Sequence, residues 1–271
     1  MDIKLVSKKF ITNKILPLFS GEWTNRSTKV PIWRVIKAIV YRLKTGCQWR
    51  NLPMRIFCRK TVVSWQTVYY HFRKWSKMGI WKEVWQNLLS KNKQLLDLSS
   101  IQLDGSQTLA KKGGESVKYQ HRKRAKTTNA LFLTDKKGQI LAMSPPISGH
   151  HNDLFSIEKM TGKMFDFLQQ AGLNLEGLFL NADAGFDSEK FRRCCEAKGI
   201  IPNIDFNKRN RKIIDSHPLK DDLLYKDRFV VEQFNAWLDA FRALFIRFET
   251  LNDTWSTLHY IAFSIFFYRT I

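Results

Sequence analysis

Apolar residues recur at three- and four-residue steps through the first third of the chain. Two faces are clear, made by Ile36, Ile39, Val40 and Leu43 and by Trp65, Val68, Phe72 and Trp75. This spacing is typical of amphipathic helices, and it continues from Trp81 to about Leu98. The pattern predicts an all-α region over residues 1–98, laid out like a helix-turn-helix domain or, equally well, like an ordinary small helical bundle. In the first interpretation, Arg73 and Lys74 on the polar face of the second helix contact DNA.

From Ile101 the apolar pattern changes to short runs rich in β-branched and large apolar residues. IQLD, ALFLTD and QILAMS are predicted strands, and Lys136-Lys137-Gly138 between the last two predicts a tight hairpin. A helix is expected over residues 152–171, with Asn152 and Asp153 as its capping residues. Two further strands are expected over residues 177–183 and 199–205, followed by a long helical run over residues 225–248. The fold class is therefore α/β, with a mixed sheet.

Three acidic residues stand at positions that suit catalysis. Asp104 and Asp183 each end a predicted strand, with Gly105 immediately after the first and Gly185 two residues after the second. Taken singly, such acids are common in turns, and Glu232, one helical turn after Arg228, suits an ordinary i, i+4 ion pair. A mixed sheet can nevertheless bring Asp104 and Asp183 side by side with Glu232 laid across them. This is the arrangement in which carboxylates hold two magnesium ions about 3.5–4 Å apart for phosphodiester chemistry, with Mn²⁺ as a possible substitute.

The charge balance favours a polyanionic partner. The chain has 45 Lys and Arg against 24 Asp and Glu, a net charge of +21 spread along its length rather than on one amphipathic helix, which favours nucleic acid over a membrane surface. Two clusters are predicted to contact phosphates: Lys111, Lys112, Arg122, Lys123, Arg124 and Lys126 in one loop, and Lys208 and Arg209 in another. The four cysteines lack zinc-ligand spacing, and no apolar stretch is long enough to span a bilayer, so a reducing cytoplasmic location is expected.

Five motifs in this order resemble those of DDE transposases of bacterial insertion sequences. They are YRLKTGCQWRNLP at residues 41–53, LDGS at Leu103, KTTNALFLTD at Lys126, LNADAGFDS at Leu180, and Tyr225-x2-Arg228-x3-Glu232. More narrowly, they are similar to the group related to eukaryotic Harbinger elements. The resemblance implies an RNase H-like catalytic domain over residues 99–271 with Asp104, Asp183 and Glu232 as its metal-binding acids. It also implies that residues 1–98 bind the terminal inverted repeats.

The same resemblance implies roles around Glu232. Tyr225 and Arg228 are expected to bind DNA phosphates. The signature lysine seven residues after the glutamate is replaced by Asp239, and either Arg242, one turn further on, or Lys226 is the substitute cation. Trp237 either stacks on an unpaired base at the transposon end or packs in the core.

A transposase of this kind cleaves the 3′ ends of its element and joins them to target DNA. It would bind double-stranded DNA, as a homodimer, near the nucleoid in the bacterial cytoplasm. Two alternatives stay open on the sequence: a transposase-derived repressor with weakened chemistry, and an RNase H-like nuclease without strand transfer.

Overall fold

The computed structural model describes residues 6–19, 30–58, 63–207 and 220–270, which fall into two compact units. Unit 1 contains residues 1–88 and 238–271, and unit 2 contains residues 89–237. Within the described ranges, no helix combines the length and apolar character that a membrane crossing requires.

The α-helices are α1 (Lys8–Phe10), α2 (Ile32–Thr45), α3 (Met54–Phe57), α4 (Trp65–Lys77), α5 (Ile80–Lys91), α6 (Ile157–Gln170), α7 (Glu189–Glu196), α8 (Asp222–Tyr225), α9 (Val230–Asp239), α10 (Arg242–Phe245) and α11 (Asn252–Thr270). The strands are β1 (Ser100–Ala110), β2 (Lys118–Gln120), β3 (Ala125–Asp135), β4 (Ile140–Met143), β5 (Ile147–Ser148), β6 (Phe179–Ala182), β7 (Ile201–Ile204) and β8 (Ile246–Arg247). A 3-10 turn over Lys226–Phe229 joins α8 to α9.

Unit 1 is helical, as predicted for the N-terminal region. The predicted face of α2 is fully buried, and so are Val68, Phe72 and Trp75 of α4, while Trp65 is half-buried. Helix α2 ends because Gly46 adopts a left-handed conformation (φ 66°), which lets its N–H donate to Arg42 O at 2.8 Å. Helix α4 begins at Ser64, whose hydroxyl accepts from Thr67 N.

The last helix of the chain belongs to the same core. Trp85 of α5 makes edge contacts with Phe263 and Phe267 of α11, at centroid distances of 5.7 and 5.8 Å. Arg42 of α2 forms a buried ion pair with Glu249 at 2.6 Å and stacks over the ring of Trp49. Residues 238–271 therefore group with the N-terminal helices, and α11 is buried on most sides in that core. The functional domains predicted for residues 1–98 and 99–271 stay a prediction.

Unit 2 contains a mixed sheet. Its strand order is β2-β3-β1-β6-β7, with β4 and β5 paired to β3. Strand β3 runs antiparallel to β1, β4 and β5, whereas β6 is parallel to β1 and β7 is parallel to β6. The predicted hairpin at residues 136–138 is present, with Gly138 at φ 78°. A central first strand with antiparallel neighbours on one side and parallel strands on the other is the RNase H-like topology, and the predicted fold class is confirmed.

The sequence predicted that strand β1 ends at Asp104, and this prediction is wrong. The strand continues to Ala110, with Gly105 opposite Leu131 and Leu109 opposite Thr127. The polar run after Asp104 looks like a turn, but β3 is long enough to pair with all of it. Only the parallel pairing with β6 stops there, at Leu103 and Ala182.

Two predicted helices also have different bounds. The helix expected from residue 152 begins at Ile157, because residues 151–156 form bends and turns instead of its first turn. Asp153 is therefore not a cap of this helix, and its carboxylate lies against Gly105. The run expected over residues 225–248 is broken near Phe241, which takes an extended conformation and is buried. Residues 246–247 then form a short strand instead of helix.

Candidate active site

Sheet register brings two of the three predicted acids to the same level. The last parallel pair of β1 and β6 is Leu103 with Ala182, so Asp104 and Asp183 are the next residue on each of two adjacent strands. Neighbouring strands lie about 4.8 Å apart. The two backbones therefore present their carboxylates from adjacent positions at the end of the parallel ladder.

Asp104 is half-buried and carries a perturbed carboxyl group. Its pKa is raised to about 6, mainly by burial and also by the nearby negative charges of Asp153 and Glu232, while a hydrogen bond from Gly105 N–H and the charge of Arg228 oppose the rise. Asn235 Nδ2 donates to Asp104 Oδ2 at 3.1 Å. The site thus concentrates negative charge around one poorly hydrated carboxylate.

Asp153 is a carboxylate of this site that the sequence was interpreted as placing at a helix cap. Asn129 Nδ2 donates to Asp153 Oδ1 at 2.6 Å, and the Asp153 carboxylate lies directly over Gly105. Any side chain at position 105 would overlap the carboxylate, so the glycine after Asp104 makes room for Asp153. The available signal was the polar cluster His150-His151-Asn152-Asp153 at the start of the predicted helix.

Asp183 and Glu232 face each other across Arg228. Arg228 Nη1 lies 3.4 Å from Glu232 Oε1 and 4.0 Å from Asp183 Oδ2, and more than half of each carboxylate side chain is exposed. Asp183 Oδ1 also accepts from Gly185 N at 3.2 Å, which turns the chain out of β6. The i, i+4 ion pair considered for Glu232 is present, and the same arginine reaches the second strand-end acid.

Helix α9 is held on the sheet next to Asp104. Its Phe234 is buried against Phe132, the β3 residue paired with Asp104, at a centroid distance of 6.0 Å. Asn235, the next residue, makes the hydrogen bond to Asp104. Glu232, Arg228 and Asp104 are thus carried by elements that pack directly on one another.

A cleft of about 730 Å³ opens at these residues. Asp104, Asp153 and Asp183 line it together with Arg122, while Glu232 is not one of its lining residues. Arg122 lies in the turn between β2 and β3, within the predicted basic cluster. Its side chain lines the same cleft as the three aspartates, so part of that cluster lies beside the acids.

The donor set suits a hard divalent cation. In the described parts of the chain, no three acidic, histidine or cysteine side chains converge closely enough to hold a metal ion as they stand. The residues fit in their chemistry, however: Asp104 and Asp183 are oxygen donors at adjacent positions. The pKa of Asp104 is raised mainly by burial and in part by the negative charges of Asp153 and Glu232, which a cation would neutralise. Glu232 is engaged by Arg228 and would have to turn from it to become a ligand.

The other predicted DNA-binding residues lie at several places. Arg73 is exposed on α4, and Lys74 packs over the ring of Tyr70 at 6.0 Å. The loop cations are exposed, and Lys123 Nζ donates to Gln107 O. The predicted loop is interrupted by β2, and Lys126 lies on β3; Lys111, Lys112, Arg122, Lys123, Arg124 and Lys126 are all exposed. Lys208 and Arg209 lie outside the described residues.

The residues that follow Glu232 divide between the two units. Trp237 is half-buried and stacks on Phe234 with a centroid distance of 6.2 Å, which supports the packing interpretation of this tryptophan. Before Glu232, the ring of Tyr225 lies 5.9 Å from the Arg228 guanidinium and 4.7 Å from Lys220 Nζ. Asp239 and Arg242 are exposed and belong to unit 1.

Two family models match the chain. Residues 13–85 match one described as "Putative transposase of IS4/5 family", and residues 90–267 match one described as "Transposase DDE domain". Two similar proteins come from Burkholderia cepacia. The "Insertion element IS402 uncharacterized 16.2 kDa protein" is 30% identical over 84 residues, which cover 30% of this chain and 54% of that protein. The "Putative transposase for insertion sequence element IS402" is 40% identical over 72 residues, covering 27% and 30%.

The chain thus spans about half and about a third of these two relatives. Among solved structures, the Mos1 transposase paired-end complex with left transposon end has a TM-score of 0.30 at 10% identity, covering 89% of this chain and 78% of that chain. A pre-cleavage Mos1 transpososome has a TM-score of 0.31 at 12% identity, covering 91% and 80%. These TM-scores are too low to support conclusions about this fold.

Proposed function

The chain belongs to the family of transposases with a DDE domain, and from that membership we propose that it cleaves and joins DNA at the ends of a bacterial insertion sequence. It binds the terminal inverted repeats through residues 1–98 and hydrolyses the phosphodiester at each 3′ end. It then joins the freed 3′-hydroxyl to target DNA. Within the family we assign it to the group related to Harbinger elements, on the five motifs described above.

The observation that carries this proposal is the register of β1 and β6. It sets Asp104 and Asp183 on adjacent strands at the end of the parallel ladder, and α9 brings Glu232 to the same face through the contacts of Phe234 and Asn235. Phosphodiester hydrolysis at a carboxylate site needs acids from several elements held in this way.

Asp104, Asp183 and Glu232 are the catalytic acids and would hold two Mg²⁺ ions, or Mn²⁺ in their place. When bound, these ions supply an activated water and neutralise charge on the scissile phosphate. Asn235 orients Asp104 through its hydrogen bond. In the free protein Arg228 neutralises Asp183 and Glu232, so it is placed to transfer to a DNA phosphate when the acids acquire other partners.

Double-stranded DNA is the partner, and two copies of the chain are expected to act together because two ends must be held for joining. Arg122 at the cleft, the exposed loop cations and Tyr225 contact the phosphates near the cleavage point. Arg73 and Lys74 contact the end sequence. We expect Arg242 to take the place of the signature lysine, since Asp239 carries the opposite charge.

A nicking assay tests the proposal. Duplex oligonucleotides copied from the DNA on each side of the reading frame are incubated with the protein and Mg²⁺, and binding is followed by gel shift. Wild-type protein should nick one strand and form a joined product with a target duplex. The D104A variant should bind equally well and not nick, while D166A, which removes an exposed acid of α6, should keep both activities. Nicking by D104A at the wild-type rate contradicts the assignment. Binding without nicking by wild-type protein indicates a repressor, and nicking without joining indicates a nuclease.

A further inference from the structure

A row of side-chain amides crosses the three parallel strands one step below the acids. Gln102, Asn181 and Asn203 occupy the same register on β1, β6 and β7, and all three are buried. Asn181 Nδ2 donates to Gln102 Oε1 at 2.7 Å, and Asn203 Nδ2 donates to Asn181 Oδ1 at 2.7 Å. Each amide stands two residues before an aspartate, at 104, 183 and 205, so the amides and acids occupy the same face of the sheet.

The amide row also binds the chain that leads into the glutamate helix. Asn181 Nδ2 donates to Leu224 O at 2.7 Å, and Asn203 Nδ2 donates to Asp221 O at 3.0 Å. Asp221 N in turn donates to Asn203 Oδ1 at 2.9 Å. Two of the three amides therefore fasten the backbone of residues 221–224 to the sheet, whereas the Gln102 side chain bonds within the sheet, to Asn181 and Ser100, among the described residues.

The third strand-end aspartate fastens the same segment from outside. Asp205 Oδ2 lies 3.2 Å from Lys220 Nζ, which also pairs with Asp222 at 3.0 Å and lies over the ring of Tyr225. In this sheet the acid after β7 therefore anchors the helix entry, while the acids after Leu103 and Ala182 line the cleft.

Helical structure is continuous from Asp222 to Asp239, so the placement of its beginning affects what it carries. Arg228 and Glu232 follow the fastened segment by one and two helical turns. We propose that Asn181 and Asn203 are positioning residues, which set Glu232 and Arg228 against Asp104 and Asp183 by docking residues 221–224. This inference deepens the proposed function and rests on it for its catalytic consequence.

The side chains of Asn181 and Asn203 are buried, and the hydrogen bonds that they make to the segment are part-buried. A part-buried carbonyl such as that of Leu224, once deprived of its donor, regains only part of the lost bond from water. Removing the Asn181 amide should therefore free the segment locally, before the sheet itself unfolds. Gln102 provides a matched control, since the same loss on β1 leaves both bonds to the segment in place.

Hydrogen exchange on the full-length protein tests the docking without any DNA. In N181L, the amides of residues 221–232 should exchange about tenfold faster than in Q102L, compared at equal global stability in urea. If N181L does not fold, K220M is used, because the Lys220 side chain is partly exposed and its loss should not prevent folding. In K220M, hydrogen exchange of residues 221–232 should be faster than in K198M, because the partners of Lys198, Asp166 and Gln169, lie outside the segment. Equal exchange within these pairs overturns the docking role.

The nicking assay tests the positioning role separately. At equal fraction folded, N181L should lose about tenfold or more in single-turnover nicking rate relative to Q102L, with gel-shift affinity changed less than about twofold. Faster exchange with an unchanged nicking rate overturns the positioning role. If wild-type protein does not nick, the proposed function fails, and the exchange comparison still decides whether these amides dock the segment.

Discussion

Replacing Asp104 by asparagine should make the metal-free protein more stable at neutral pH. The folded state raises the pKa of Asp104 from 3.8 to about 6, mainly by burial, so it favours the protonated carboxyl. The protonated carboxyl therefore contributes no penalty well below pH 3.8, the pKa of the unfolded state. As pH rises from 3.8 to about 6, the carboxyl ionises first in the unfolded state, so the free energy of unfolding falls, and above about pH 6 the loss is complete. Ionisation therefore costs the folded state about 3 kcal/mol at pH 7.5 and about 0.5 kcal/mol at pH 4.

Asparagine keeps the shape of Asp104 and an oxygen that accepts from Asn235, but it never ionises. We expect D104N to exceed wild type by up to about 3 kcal/mol in free energy of unfolding at pH 7.5 with EDTA, and by about 0.5 kcal/mol at pH 4. Urea unfolding followed by tryptophan fluorescence measures both. D183N alters a mostly exposed carboxylate and should change stability by about 0.5 kcal/mol or less.

Two results would refute this account of Asp104. One is a D104N variant less stable than wild type at pH 7.5, and the other is a gain that stays constant as pH falls. Adding Mn²⁺ provides a further test. It should stabilise the wild-type protein and leave D104N almost unchanged, so the difference in free energy of unfolding between them at pH 7.5 should become smaller.

Two other substitutions test neighbouring features. G105A places a methyl group against the Asp153 carboxylate, so we expect the free energy of unfolding in urea to fall by about 1–3 kcal/mol. G113A lies in the exposed loop, where no atom of the described residues beyond its chain neighbours is within 4 Å of the added methyl group, and should cost much less. Equal losses in the two variants would mean that the Asp153 side chain moves aside at little cost. On α4, the R73A/K74A double variant should weaken binding to the flanking-DNA duplex and reduce the salt-dependence slope by about two, because two fewer counterions are released; an unchanged slope in gel shifts at several salt concentrations would place the binding surface elsewhere.

The elements that the sequence predicted well are those whose periodicity reflects one buried face. The α2 face from Ile36 to Leu43 is of this kind, because burial on one side imposes a regular pattern of apolar positions. The strand before Asp183 was predicted from a continuous apolar run instead, and Leu180, Asn181 and Ala182 are all buried. The position of Asp104 was also indicated, by the apolar run ahead of it. Its strand was nevertheless expected to stop there, since Gly105 and the polar residues after it are typical of a turn. Pairing with β3, a long-range contact, extends the strand.

The role of Asp153 depended on a contact that no local pattern contains. Beside Asn152 it suits a helix cap, yet its carboxylate lies over Gly105, 48 positions earlier in the chain. The amide row is a different case. Its amide-apolar-aspartate pattern is visible three times in the sequence, at Gln102, Asn181 and Asn203. Its meaning needs the strand register, because only adjacent parallel strands turn three separate tripeptides into one hydrogen-bonded row.

The ion pair of Arg42 with Glu249 bears on how such proteins can be recombined. The residues that join α2 to the end of the chain are separated in sequence by the whole of unit 2, so the helical unit is encoded in two pieces. A single crossover that exchanges residues 1–98 between elements would leave a buried arginine facing a foreign partner and Trp85 facing a foreign helix. Under the proposed function, in which α4 contacts the end sequence, changes in end recognition would therefore arise more readily by point substitutions on the exposed face of α4 than by exchange of the whole helical region.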